Sequence, residues 1–229
     1  MLFAYPSSTQ VGRVLPKNKI FKNVVPSVRQ RELLTQQVEK ITWAHKLAPD
    51  TLNIKANNDL PEIQVFHLRL KPQVEGVHES LLEYLDKAIP SALIFEVYSS
   101  AGIQTVACLK QLNQNGTVKC SPYLYGDVLS SEAERQALPV SRDFAHLQQQ
   151  LLVTLLPYPL QAGESLSDAI ERNQAVNKLA KDIQQLEKHL LNKSMQFNKR
   201  VELNQTLKNA KQTLMAKSMG QLNDMSNVQ

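Results

Sequence analysis

Between Ser165 and about Lys217 the chain holds neither glycine nor proline. Those residues are the strongest interruptions of helical periodicity, so a run of about 53 positions without them constrains the fold more than any other feature. Within it Val176, Leu179, Ile183, Leu186, Leu190 and Phe197 recur at gaps of 3, 4, 3, 4 and 7. Apolar residues at that spacing form the packing seam of a coiled coil. The next seam positions are the polar Arg200 and Asn204, and a shifted seam then runs Leu203, Leu207, Ala210, Leu214. Two arrangements follow: one long helix with a stutter, reaching about 80 Å, or a helix that folds back at "LNKSM" into a hairpin. In either case Val176, Leu179, Ile183, Leu186, Leu190, Phe197, Leu203 and Leu207 are the candidate partner-binding residues.

The shift falls in "QFNKRVELNQTLK", residues 196–208. Asn198 and Asn204 stand there beside apolar residues. A buried asparagine in a seam lowers stability and fixes register, and this is the expected role of both. Lys199 and Arg200 make the same stretch basic, but the cations of this region spread over more than one face. A groove-reading helix concentrates them on one.

The preceding sequence reads differently. Ser27 and Gln30 match a capping box, and Leu34, Val38, Ile41 and His45 follow at helical spacing up to Pro49. "TLNIK" and "EIQVFHLRLK" read as strands. "HESLLEYLDKAIP" reads as a second helix. "SALIFEVYSS", "IQTVACLKQ" and "TVKCSPYLY" read as three further strands, with turns at "AG" and "NQNG". "SRDFAHLQQQLLVTLLP" is a third helix, closed by Pro157 and Pro159. The expected fold is α+β: a small mixed or antiparallel sheet with flanking helices, followed by a C-terminal long helix or helical hairpin of coiled-coil type. The expected divisions are a basic N-terminal arm at 1–26, the α+β domain at 27–158, the helical element at 164–219 and a polar tail at 220–229.

Charge is concentrated at the two ends. Residues 1–30 carry five basic residues (Arg13, Lys17, Lys19, Lys22, Arg29) and no acid, and residues 171–229 carry ten bases against five acids. Basic ends suit phosphate contacts. Lys17, Lys19, Lys22, Lys199 and Arg200 are therefore the candidate nucleic-acid contacts, in a reading that makes the chain a DNA-binding module. The apolar stretch "LLVTLLPYPL" is broken by proline and too short for a membrane span, which needs about 20 residues. The N-terminus has no basic start followed by an apolar core, so a cytoplasmic protein without a secretory signal is expected. Cys108 and Cys120 flank a turn and are expected to face each other as reduced, half-buried thiols. Their spacing matches no metal motif, and no metal or cofactor is expected.

Several stretches together resemble the bacterial family called domain of unknown function 4391: "VGRVLPKNKIF", "EKITWAHKLAPDTLNIK", "EIQVFHLRLK", "LDKAIPSALIFEV" and "QFNKRVELNQTLK". The resemblance implies a setting rather than a reaction. Family members are often encoded beside helicases and DNA methyltransferases, in clusters similar to restriction-modification or phage-defence islands. It implies an accessory or assembly subunit whose partner is a helicase or DNA methyltransferase subunit, or a second copy of the chain.

Enzymatic readings are weaker. A metal-dependent nuclease needs two or three carboxylates and a lysine around a cation. Asp59, Glu62, Glu96 and Lys110 are the candidates, but Tyr98 stands where a Glu-x-Lys strand signature would place lysine. The competing expectation is that Glu96 faces solvent or pairs with Lys110, while Asp59 and Glu62 decorate a turn. The five histidines show no ligand spacing, His45 being placed at a helix end. Neither a glycine-rich phosphate loop nor a G-x-S-x-G motif occurs.

Overall fold

A computed structural model describes residues 1–20, 24–55, 60–112, 118–191 and 196–219. The chain divides into two compact units, residues 1–156 and 157–229.

The first unit opens with β1 (Phe3–Ala4), a 3-10 turn at Ser7–Thr9, β2 (Gln10–Val14) and the short α1 (Lys17–Ile20). It continues through α2 (Val28–Gln37), β3 (Val38–Leu47), α3 (Pro49–Leu52), β4 (Ile63–Leu70), α4 (Glu79–Ala88), β5 (Ala92–Ser99) and β6 (Gly102–Ala107). It ends with β7 (Lys110–Leu112), β8 (Val118–Cys120), β9 (Leu124–Leu129), β10 (Gln136–Ala137) and α5 (Phe144–Val153). Six strands form one sheet in the order β2-β3-β4-β5-β6-β9, in which only β4 and β5 run parallel. A parallel pair needs a crossover, and α4 supplies it. Two further pairs, β1-β10 and β7-β8, lie outside this sheet. The fold is α+β, as the sequence pattern implies.

Alternation along the strands gives the sheet two faces. Phe66, Leu68, Leu93, Phe95, Val97 and Val106 share one core with Leu81, Leu82, Tyr84, Leu85 and Ala88 of α4. Burying each such leucine contributes about 2 kcal/mol. His67, Glu96 and Thr105 are register partners on the opposite face.

The segment expected to be one helix from Ser27 to Pro49 is half helix and half strand. The capping box is present, Ser27 Oγ accepting from Gln30 N and Gln30 Oε1 from Ser27 N. The helix then stops at Gln37, without glycine or proline, and Val38 is already extended (φ −97°, ψ 125°). Valine, isoleucine, threonine and tryptophan in "VEKITWAHKL" favour a pleated surface. Helical spacing misleads here because β3 carries register shifts between Val38 and Lys40 and between Trp43 and His45. Bulges add residues to a strand, so Val38, Ile41, Ala44 and Leu47 are buried at every third position instead of every second. His45 accordingly lies on a strand, not at a helix end.

Two smaller departures share this origin in local backbone chemistry. "TLNIK" is not a strand: Pro49 opens the single turn α3, which Asn53 closes in the left-handed conformation (φ 53°). The segment 1–26, expected to be an arm, supplies β1 and the edge strand β2. The expected "NQNG" turn lies outside the described residues, although β7 and β8 on either side of it pair antiparallel.

The second unit holds α6 (Leu166–Leu190) and α7 (Phe197–Met219). The helices pack side by side. Lys211 Nζ meets Glu187 at 2.7 Å and Arg172 reaches the Lys217 carbonyl at 3.5 Å, so positions rise along α7 as they fall along α6. The element is an antiparallel hairpin, not a single rod. The residues between the helices, including most of "LNKSM", lie outside the described set, as does the tail from Gly220.

Candidate functional site

Ser165 caps α6 by accepting from Asp168 N, and the segment before the helix is pinned to it. Asn173, 2% exposed, accepts from Tyr158 N at 2.8 Å and donates to the carbonyls of Tyr158 and Ala169. Arg172 grips Glu164 with two bonds, at 2.7 and 2.9 Å, and donates to Pro159 O. Along the seam Val176 and Ile183 are buried, while Leu179, Leu186 and Leu190 are half-buried. On α7 Arg200, Leu203, Leu207, Ala210 and Leu214 form a stripe at spacings of 3, 4, 3 and 4, and every one is half-buried. This stripe leaves Asn198 and Asn204 on the exposed side. They are not buried register pins; the buried asparagine of α6 is Asn173, three residues before Val176. Lys199, Lys208, Lys211 and Lys217 are exposed along α7, against the single acid Glu202.

Of the remaining candidate cations, Lys17 is half-buried and donates to Val38 O at 2.6 Å. Burial, then the charge of Lys71, lowers its pKa. Lys22 lies outside the described residues, and the side chains of Lys19 and Phe197 lie outside the described atoms.

Glu96 does not face solvent and does not pair with Lys110. It is 1% exposed, and its two oxygens accept from Arg135 at 2.7 and 2.8 Å. Tyr98 Oη donates to Glu96 Oε2 at 2.9 Å, and His67 Nε2 lies 3.3 Å from the same oxygen. Arg135 is delivered by the segment leading into β10, and it also donates to Phe3 O of β1. Tyr5 stacks on His45 at 4.7 Å, and Thr9 Oγ1 meets His45 Nδ1 at 3.0 Å. Burial raises the Glu96 pKa, but the Arg135 guanidinium and then the His67 imidazole outweigh it and hold the carboxyl at about 2. Burial, reinforced by Glu96, pushes Tyr98 up to about 12. Burial and the neighbouring His67 push His45 below its ordinary value. A carboxylate gripped at both oxygens by a guanidinium has no free edge for a cation and is too weak a base for proton transfer near neutrality.

Lys110 pairs instead with Asp86 of α4, at 3.3 Å, both buried. Its ammonium also donates to the carbonyls of Ile89 and Ser91. Tyr123 Oη donates to Asp86 Oδ2 at 2.6 Å, and Cys108 Sγ lies 3.7 Å from that oxygen. Burial raises the Asp86 pKa against the opposing pull of Lys110. A hydrogen bond with Cys120, then burial, pushes the Cys108 thiol up. Among the described residues Asp86, Cys108 and Cys120 form the one group of three metal-capable side chains, with ligand atoms all within 4.8 Å of one another.

Lys110 also lines a cleft of about 160 Å³ with Leu60, Glu62 and Ser91. Glu62 accepts there from Ser91 Oγ and Gln64 Nε2. The nuclease candidates are thus divided. Glu62 and Lys110 share this cleft, Glu96 sits in the middle of β5, about 13 Å along the strand from Ala92, and Asp59 lies outside the described residues. Sequence reasoning missed Arg135, Asp86 and Tyr123. Arg135 sits in an irregular segment 39 residues from Glu96, with no pattern to mark it. Asp86 carried a usable signal, being an acid on the apolar side of an amphipathic helix.

The family model described as Domain of unknown function (DUF4391) matches residues 3–214, and the chain belongs to that family. No curated protein and no solved structure matches the chain. Among the described residues, no helix is long and apolar enough to cross a membrane.

Proposed function

We infer that this member of the DUF4391 family is an assembly subunit of a bacterial DNA-processing complex, similar to restriction-modification or phage-defence systems. It binds a helix of a protein partner along its C-terminal hairpin. The observation carrying this reading is the stripe Leu203, Leu207, Ala210, Leu214 on α7 together with Leu186 and Leu190 on α6, all only half-buried with the hairpin formed. Two helices cannot enclose a seam on both sides, whereas a third helix laid in the groove between them completes the knobs-into-holes packing. Exposed lysines at 199, 208, 211 and 217 flank the stripe. They favour an amphipathic partner helix with acidic borders. The DNA-processing setting, with a helicase or DNA methyltransferase subunit as partner, rests on the gene neighbourhoods that the family resemblance implies.

Co-expression with a helicase or DNA methyltransferase subunit tests the reading. Wild-type chain is expected to co-purify in a fixed ratio. Leu186→Asp and Leu190→Asp are expected to abolish this while residues 1–156 stay folded, because an unpaired charge in a packed interface costs several kcal/mol. Unchanged complexes in both variants would overturn the seam as docking site. Purely homodimeric wild-type chain, lost in the same variants, would assign the groove to a second copy. Salt-sensitive duplex binding by the isolated chain, weakened by neutralising Lys199 and Arg200, would favour the DNA-binding module instead.

A further inference from the structure

We propose that Asp86, Cys108 and Cys120 form a zinc-binding site. The three ligands come from separate elements: Asp86 from α4, Cys108 from the residue after β6, and Cys120 from the end of β8. No local sequence motif marks such a site, because the carboxylate lies 22 residues before the first cysteine.

The geometry suits a tetrahedral ion. Bonds of about 2.3 Å to sulfur and about 2.0 Å to oxygen place those two ligand atoms about 3.5 Å apart. Cys108 Sγ and Asp86 Oδ2 are 3.7 Å apart, and Cys120 Sγ lies within 4.8 Å of Cys108 Sγ and of an Asp86 carboxylate oxygen. Only a small closing movement of Cys120, the half-buried member, is needed to coordinate all three.

The surroundings already hold the carboxylate as a ligand requires. Lys110 occupies Oδ1, and Tyr123 donates to Oδ2, which keeps a second lone pair for the metal. Such outer partners orient a ligand and are part of the site. Charge also balances. Zinc entry expels both thiol protons to solvent, so the dication and two thiolates add no net charge to a buried region. Two sulfur donors select a thiophilic ion over magnesium or calcium. Cys120 is half-buried, so the three protein ligands leave the fourth position to a water molecule.

The experiment uses the full chain, purified under reducing conditions, and cobalt as a spectroscopic probe for zinc. One cobalt per chain is expected, with thiolate-to-cobalt charge-transfer absorption and the ligand-field bands of a tetrahedral centre, all bleached by one equivalent of zinc. Cys120→Ser keeps the fold, checked by circular dichroism, since its side chain is partly exposed. It is expected to lose part of the charge-transfer intensity and to bind cobalt at least about 100-fold more weakly, beyond the loss seen when only an outer partner is removed. Cys108→Ser is expected to act in the same direction. Wild-type chain without thiolate-cobalt absorption would overturn the proposal. So would an unchanged spectrum and affinity in Cys120→Ser, which would mark an adventitious surface site.

Discussion

Arg135 holds Glu96 through two nearly equal bonds, 2.7 and 2.8 Å long, from a position 39 residues away in the chain. The pair ties the segment before β10 to the middle of β5, and through Phe3 O it ties β1 to the same point. A bidentate fork of this kind fixes orientation as well as distance. It explains why β1 and β10, two residues each, stay paired on the sheet face.

The two halves of this pair should respond unequally to mutation. The Glu96 side chain is 1% exposed and Arg135 31% exposed. Removing the guanidinium leaves a carboxylate that cannot rehydrate, whereas removing the carboxylate leaves a cation that partly can. Arg135→Met is expected to destabilise by about 3–5 kcal/mol. Glu96→Gln, which keeps the shape and one acceptor, is expected to cost about 1–3 kcal/mol. Urea unfolding curves of both variants check the order. Equal losses below about 1 kcal/mol would return Glu96 to the surface role its sequence context suggested.

Acid should expose the same pair. The carboxyl titrates at about 2 in the folded chain, below its ordinary value of 4.5. A depressed carboxylate contributes stability that is fully present above the unfolded value and is lost as pH falls through the folded one. The Glu96 contribution should therefore disappear between about pH 4.5 and pH 2, and it amounts to about 3 kcal/mol. Thermal melts across that window are expected to show a shallower acid slope in Glu96→Gln than in wild type. Parallel slopes would remove Glu96 as a source of acid sensitivity.

Much of the fold was legible where one physical signal acted alone. The Ser27 capping box, the α4 stripe of Leu81, Leu82 and Leu85, and the glycine-free hairpin helices follow from local chemistry. The strand β3 was not legible, because its bulges place apolar residues at every third position and imitate a helix. The buried sites were legible only in part. Glu96, Lys110 and both cysteines stand out by type, but their partners Arg135 and Asp86 are fixed by tertiary contacts that no spacing encodes. The choice between rod and hairpin depended on which residues the half-buried stripe of α7 meets, which periodicity alone does not specify.

The turn between β5 and β6 offers a test of backbone chemistry. Gly102 has φ 136°, and a Cβ built there would overlap the carbonyl of Leu129 on β9. Two penalties combine, since L-residues avoid this conformation and the obstruction is backbone that cannot rotate away. Gly102→Ala is expected to destabilise the first unit by about 2–4 kcal/mol. Gly163, also at positive φ (77°) but with open space around it, should tolerate alanine at about 1 kcal/mol. Comparing the two by chemical denaturation separates strain from collision. Equal effects would mean that β9 yields at Leu129.

Within the second unit two ion pairs of similar length should differ in strength. Lys211 and Glu187 meet at 2.7 Å with side chains 52% and 47% exposed. Arg172 and Glu164 meet at 2.7 Å with both side chains 12% exposed, and Arg172 also donates to Pro159 O. Water screens the first pair, so Glu187→Gln is expected to change stability by less than about 1 kcal/mol. Arg172→Met removes a two-bond grip and a carbonyl contact together, and it leaves Glu164 largely enclosed, so a loss of about 2–3 kcal/mol is expected. The Arg172 contacts pin the segment at Pro159 and Glu164 to the first turns of α6. Hydrogen exchange at Gln161 and Glu164 should therefore quicken in Arg172→Met and stay unchanged in Glu187→Gln. Equal protection in the two variants would mean that Asn173, through its bonds to Tyr158, holds that segment without help from Arg172.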